Sequence, residues 1–313
     1  TEGEGLLAVL REAGVANELF PLLIFVGIGA MTDFGPLLGN PRMALLGAAG
    51  QFGIYVTLML ALLLGFPMNQ AASIGIIGAI DGPTAIYVTN KLAPELLGAI
   101  AVAAYSYMSL VPIIQPPVMR LMTTQKERLV RMPYVRREVS KTTRVVFPIV
   151  VTLVVSLISP QASPLIATLM LGNLLRESGV VERLAGAAQN EIANVTTVLL
   201  GLAIGGTMNG NAFIRLETLY ILAIGLLAFV MDTVGGVLFG KLMYLFSGKK
   251  FNPLIGAAGI SAFPMSARIV QKIGQEYDYE NFLLMHAMGA NTAGQLGSVI
   301  AGGVLLALVT PLL

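Results

Sequence analysis

Apolar residues run through this chain in blocks as long as a bilayer is thick, and its polar residues gather where the blocks break. Met43 to Leu64 carries no charge and Thr218 to Phe246 carries only Asp232 and Lys241, so each fits the ~20 apolar residues that a helix needs to cross ~30 Å of hydrocarbon. The same pattern predicts helices over 16–31, 43–64, 71–80, 94–121, 145–158, 165–175, 195–206, 218–246 and 292–309, the last stopping before Pro311. Two stretches, 71–90 and 253–272, are too short and too interrupted by Gly and Pro to cross simply. They predict discontinuous helices that line a site within the membrane.

These two segments occupy matching places in a repeat. Leu10-Arg11-Glu12-Ala13-Gly14-Val15 returns as Leu175-Arg176-Glu177-Ser178-Gly179-Val180, each followed by a leucine at Leu19 and Leu184. Ile28-Gly29 matches Ile204-Gly205, which sets Asp33 opposite Asn209; Gly75, Gly78, Pro83 and Lys91 then match Gly256, Gly259, Pro264 and Lys272 at one offset. A colinear series of this kind marks a duplicated transporter-like chain whose site lies where the halves meet. The expected organisation is a first half over 1–119, a basic loop over 120–144 and a second half over 145–313, with an inverted relation if an odd number of crossings separates the halves.

Composition sharpens the class. Hydrophobic residues make up 56% and charged ones 12%, with a mean hydropathy of +0.80, against roughly 25% charged residues in soluble domains. The fold class is therefore an all-α polytopic membrane protein. Its 35 glycines and 16 prolines suit helices broken around a cavity and argue for a transporter or ion pump over a simple anchor. Without cysteine, and with His286 as the one histidine, disulfides, thiolate metal sites, thiol nucleophiles and histidine clusters are excluded. Seven Lys/Arg lie between Lys126 and Arg144 against only Glu127 and Glu138, which places this loop in the cytoplasm, where it sets topology or meets acidic lipid or a partner. Thr1 to Gly5 shows neither a basic n-region nor a small-residue cleavage site, so it does not read as a signal peptide. A truncated start is also expected.

The candidate chemistry centres on Gly78-Ala79-Ile80-Asp81-Gly82-Pro83-Thr84, a carboxylate where an apolar helix must stop. A lone charge at membrane depth costs several kcal/mol, so it marks an ion path or is paired. Asp81, the Thr84 hydroxyl and backbone carbonyls freed near Gly82 and Pro83 form a partial shell for a hard cation such as Na+; the alternative is an N-cap in an interfacial turn. The second broken segment has no acid, but Asn252 precedes it and it holds Gly256, Ser261 and Arg268. Arg268 reads either as a bidentate carboxylate clamp or as a snorkelling helix-end residue. Beyond these segments, Tyr105 and Tyr107 stand opposite a second-half set of His286, Asn291, Thr292 and Gln295. Tyr105 and His286 are candidate proton handlers or satisfied structural side chains, and Asn291, flanked by small residues, is the best neutral oxygen of the second half. Asp33 and Asp232 keep two readings, a second ion site or caps of irregular turns.

At these residues the sequence resembles the beta subunit of the biotin-dependent, sodium-translocating decarboxylases acting on oxaloacetate, glutaconyl-CoA or methylmalonyl-CoA. The resemblance rests on Gly29-Ala30-Met31-Thr32-Asp33-Phe34-Gly35-Pro36-Leu37, Gly78 to Thr84, Ala104-Tyr105-Ser106-Tyr107-Met108, Val111-Pro112-Ile113-Ile114-Gln115-Pro116-Pro117 and Asn252 to Arg268, and covers nearly the whole chain from Leu10. It implies a membrane subunit that decarboxylates carboxybiotin and exports Na+. The biotin is carried on a partner subunit, with no covalent biotin on this chain. It implies ion-binding or transport roles for Asp81, Tyr107, Asn252, Gly256, Ser261, Arg268 and Asn291, and proton supply by Tyr105. Implied partners are a carboxyltransferase subunit, a biotin-carrier subunit and small membrane subunits; implied architecture is an elevator-like trimer of two repeated halves in a bacterial or archaeal cytoplasmic membrane. Family members carry a further membrane segment at the amino terminus. No metal beyond Na+ and no nucleic acid is expected. The rival class is a secondary Na+/H+ or Na+/carboxylate carrier, which would use the same broken helices and the same acid.

Overall fold

The structure, a computed structural model, describes residues 5–133, 138–206, 208 and 215–313. Asn209 and residues 134–137 of the basic loop lie outside the described residues. The described residues form helices and no strand. In chain order these are α1 (Leu6–Leu10, continued by wider turns to Ala16), α2 (Leu19–Met31), α3 (Gly35–Gly39), α4 (Met43–Ala49), α5 (Phe52–Leu63), α6 (Met68–Gly75), α7 (Gly82–Leu92), α8 (Leu97–Met122) and α9 (Gln125–Arg128). There follow α10 (Lys141–Ile158), α11 (Ser163–Ser178), α12 (Glu182–Ala187), α13 (Ala193–Gly205), α14 (Leu216–Phe246), α15 (Met265–Tyr277) and α16 (Leu284–Val309). Among the described residues, five helical stretches are long and apolar enough to cross a membrane: Met43–Leu63, Pro94–Met122, Lys141–Ile158, Leu216–Phe246 and Leu284–Leu312. A sixth arises if Leu6–Ala16 and Leu19–Met31, bent by 61°, count as one span.

The two interrupted segments fold as hairpins. In the first, α6 runs into a 3-10 turn, Ile76–Ala79, the chain reverses at Ile80 and Asp81, and α7 leads back. Asn69 Nδ2 donates to Leu92 O at 3.0 Å and closes its base. In the second, a 3-10 helix, Pro253–Gly259, is followed by residues 260–264, which include the cis peptide Phe263-Pro264, and by α15. Its base is fixed to the loop after α8: Asn252 Nδ2 donates to Arg128 O (3.1 Å) and Val130 O (2.9 Å), and Arg128 Nη1 donates to the Tyr277 hydroxyl (2.5 Å). The first hairpin ends beside Leu97, at the start of α8. With 26 residues, α8 is roughly 39 Å long, so the two hairpins open at opposite ends of it. Their tips meet between, where Ser261 Oγ donates to Ala79 O (2.7 Å) and lies 3.2 Å from Ile80 O.

Packing rather than propensity decides where two helices differ from the sequence pattern. The predicted helix 43–64 is broken between α4 and α5 at Gly50-Gln51. A Cβ on Gly50 would collide with the backbone of Gly259 at the second hairpin's tip, and the first turn of α5 is capped from outside by Asp232, whose Oδ1 accepts Gly53 N–H at 2.5 Å. The last helix begins at Leu284 rather than 292 because Gly289 and Ala290 are buried against its neighbours, Gly289 facing Pro36 and Met43. Burial there outweighs the ~1 kcal/mol that glycine costs in a helix. Helix α8 also runs on through residue 119, where the first half was expected to end.

Candidate functional site

Asp81 stands where the hairpins meet. It is 4% exposed and is the N-cap of α7, with Oδ1 3.5 Å from Thr84 N and Pro83 in the first turn, where a missing N–H costs nothing. Its Oδ2 accepts three side-chain donors: Thr84 Oγ1 at 2.8 Å, Gln295 Nε2 at 3.0 Å and Ser298 Oγ at 3.0 Å. Gln295 and Ser298, three apart on α16, share a face of that helix. Among the described residues no lysine or arginine pairs with Asp81; neutral donors alone surround the carboxylate. The residue before it, Ile80, is β-branched and left-handed at φ 52, a conformation worth ~1–3 kcal/mol of strain, and lies in reach of the Ser261 hydroxyl.

Tyr105 is the next group out. Its ring lies against Gly82, so that a Cβ there would come 2.6 Å from the ring's Cζ, and its buried hydroxyl has no partner among the described residues. A cavity of about 360 Å³ between α8 and α13, lined by Tyr105, Ser106, Thr197, Leu200 and Gly201, opens beside it. Tyr107 points elsewhere and its hydroxyl donates to Leu222 O on α14. Residues two apart on a helix are turned by roughly 200°, which separates the two tyrosines.

The second hairpin brings Ser261 to its tip, and Asn291 of α16 meets that tip. Asn291 Nδ2 donates to Ile260 O at 2.6 Å, and its Oδ1 is buried without a partner among the described residues. Asn252 is not brought to Asp81: the seven-residue 3-10 helix Pro253–Gly259 puts roughly 14 Å of rise between Asn252 and the tip. Gly256 faces the backbone of Gly236 and lets α14 approach. Arg268 is exposed on α15 with no ion pair among the described residues. Thr292 donates within its own helix, to Met288 O at 3.0 Å, and His286 bonds to the backbone of Met132 and Pro133. Asp33 Oδ1 accepts Gly35 N–H at 2.8 Å, opening α3. Asp232 caps α5, well along the 31-residue α14.

Two residues of this region escaped the sequence pattern. Ser298 follows Gln295 by three, so helical spacing on α16 was the signal for it. Gln115, inside the proline-rich part of α8, holds the second hairpin together: Nε2 donates to Ala257 O at 2.7 Å and Oε1 accepts the Ser266 hydroxyl at 2.9 Å. Outside the spans, Arg131 beside Asp278 holds that carboxyl below the usual carboxylate range.

A family model described as the Na+-transporting oxaloacetate decarboxylase beta subunit matches residues 2–309. The chain is similar to the methylmalonyl-CoA decarboxylase subunit beta of Veillonella parvula, 56% identical over 307 residues that cover 98% of this chain and 82% of that one. It is 55% identical over 308 residues to the oxaloacetate decarboxylase beta chain of Klebsiella pneumoniae, covering 96% and 71%. To the glutaconyl-CoA decarboxylase subunit beta of Acidaminococcus fermentans it is 56% identical over 296 residues, covering 95% and 79%.

Proposed function

From the premise that this chain belongs to the beta subunits of the Na+-transporting decarboxylases, we propose that it is the membrane subunit of a primary sodium pump. It decarboxylates carboxybiotin delivered by a partner subunit and couples CO2 release to Na+ export across a bacterial or archaeal cytoplasmic membrane. The observation that carries this reading is Asp81, a buried carboxylate ringed by neutral hydroxyl and amide groups at the junction of two hairpins that open in opposite directions.

Na+ is the cargo. Hydroxyls of Thr84 and Ser298 that donate to Asp81 carry lone pairs that can turn to a cation beside the carboxylate, and Asn291 offers its unpartnered Oδ1 close to the second tip. Each Na+ moved outward costs ~2.3 kcal/mol per 100 mV, to be supplied by decarboxylation. In that step the N–CO2 bond of carboxybiotin breaks, CO2 leaves, and the biotin nitrogen takes up one proton. Tyr105, with its free hydroxyl beside the Asp81 turn and facing a cavity, is the proton donor in this reading; Arg268, exposed and unpaired, takes the carboxylate. Coupling requires that carboxybiotin and Na+ favour one conformation together, so that loss of CO2 changes which side is favoured. The two halves are inverted repeats, and their hairpins move as an elevator within a trimer that also holds the carboxyltransferase, biotin-carrier and small membrane subunits. A secondary Na+/H+ or Na+/carboxylate carrier is not favoured, since these relatives are named as decarboxylase subunits.

The test is the assembled complex in proteoliposomes. Na+ uptake with CO2 release, both abolished by avidin, is expected; Na+ uptake driven by a pH gradient and indifferent to avidin would overturn the reading.

A further inference from the structure

Asp232 is fully buried, and its two oxygens meet different surroundings. Oδ1 accepts Gly53 N–H at 2.5 Å. That N–H belongs to the first turn of α5, so Asp232 does through space what an N-cap does along the chain, at the break where α4 stops. Oδ2 has no donor or acceptor among the described residues. It faces the first hairpin, where a Cβ on Gly78 would lie 3.1 Å from it. Asp232 and Asp81 thus flank the 3-10 turn Ile76–Ala79, one capping the wall behind it and one at its tip.

No cation pairs with this carboxylate among the described residues. The ionisable side chains on the elements packed against α14 are Tyr55 on α5, Asp81 beyond the 3-10 turn, and Tyr105, Tyr107 and Arg120 on α8. Tyr107 is engaged with Leu222 O, Arg120 with Glu276, and Asp81 with its own three donors. On α14 itself Glu217 and Lys241 lie 15 and 9 residues away, and Lys241 pairs with Glu127. An orphaned oxygen on a fully buried acid calls for a partner, and a proton is the smallest that fits.

We propose that Asp232 is a second proton-binding site of this protein, whose Oδ2 holds a proton while the first hairpin is seated on α14 and releases it to solvent as the hairpin lifts. The step is a simple deprotonation, the acid giving carboxylate plus H+. Departure of the hairpin lets water reach Oδ2, and water favours the charged form. Deprotonation therefore favours hairpin departure by the same factor as departure favours deprotonation. The hairpin's motion rests on the transport reading above; the proton on Asp232 does not.

The experiment uses the purified decarboxylase complex. Asp232→Asn keeps an Oδ1 to accept from Gly53 while removing the titratable group, so assembly and melting temperature should be retained. Infrared difference spectra on adding Na+ are expected to show a protonated-carboxyl band in the wild type that is lost in Asp232→Asn. The half-saturating Na+ concentration should vary more steeply with pH in the wild type than in Asp232→Asn, by up to about tenfold per pH unit for one linked proton. An assembled Asp232→Asn complex with the wild-type band and pH dependence would leave only the cap and overturn the proposal. Should that variant fail to assemble, a hydrophobic carbodiimide applied to the wild type decides: modification at Asp232 that quickens as pH falls supports the site, and none at any pH refutes it. Undiminished transport by Asp81→Asn would sink the ion site proposed above and leave the Asp232 band to stand or fall alone.

Discussion

The first hairpin turns through Ile80 and Asp81 and brings a carboxylate to the junction; the second turns through residues 260–264 and brings the Ser261 hydroxyl, while its nearest charge, Arg268, faces outward from α15. The walls differ as well. Behind Asp81's turn stands a side chain, the Tyr105 ring against Gly82; around the second tip stands backbone, with Gly50 and Gly294 close to the Gly259 carbonyl. A single acid between two tips avoids the like-charge pair that would share one proton, so a bound cation is matched by one negative charge. A side-chain wall can move and a backbone wall cannot. The first tip is thus built for chemistry that changes state, the second for holding position.

Removing the charge breaks this comparison most directly. Asp81→Asn keeps the size and an acceptor for Thr84 and Ser298, yet a charged hydrogen bond is worth ~1.5–3 kcal/mol, so Na+-dependent decarboxylation should fall by roughly 100-fold. Undiminished rates in proteoliposomes would remove Asp81 from the ion site. Next come the walls. Gly294→Ala drives a Cβ into the carbonyls of Gly259 and Ile260 and should cost ~1–3 kcal/mol, read as a lower melting temperature of the solubilised protein. Gly82→Ala meets the Tyr105 ring first, and that ring can tilt. There the melting temperature should hold to within about 0.5 kcal/mol while decarboxylation falls. Equal thermal losses in the two variants would erase the distinction between the walls.

Gln115 gives a smaller effect. It braces the second hairpin through Ala257 O and Ser266, so Gln115→Leu should destabilise by ~1–2 kcal/mol, with trypsin cleavage near Arg268 and Lys272 rising before cleavage around Lys91. Simultaneous cleavage would show that the hairpins do not open separately.

The broken segments were legible because Gly and Pro interrupt apolar runs, and Asp81 because an acid stands where such a run stops. The break at Gly50-Gln51 was not, since 43–64 is an uncharged, mostly apolar run without proline whose interruption comes from Gly259 and Asp232, both about 180 or more residues away in sequence. Asn252 and Ser261 look like neighbours in sequence, and only the extended rise of the 3-10 helix between them separates base from tip. Asp33 and Asp232 could not be told apart by pattern. In space one opens the short α3 from two residues away, while the other caps a helix of the opposite half of the chain.

The weakest contrast lies at the bases. The first hairpin's outer end is tied by Lys91 to Glu18 at 2.7 Å, the second's by Arg131 to Asp278 (2.8 Å to Oδ1) and to Glu280 (2.7 Å). Arg131 lowers the Asp278 carboxyl below its usual value, so the folded form is the stronger acid. The stability this pair contributes is then fully present above the unfolded value of ~3.9 and is lost as pH falls through the lower folded one. Arg131 is exposed and Asp278 partly so, so screening keeps the contribution small. Asp278→Asn should therefore lower the melting temperature slightly at pH 7 in low salt, and the gap to the wild type should close both in ~1 M salt and as the pH is brought below about 4. A gap that persists in high salt would mean that Asp278 holds the base through its backbone contact with Glu280 rather than through charge.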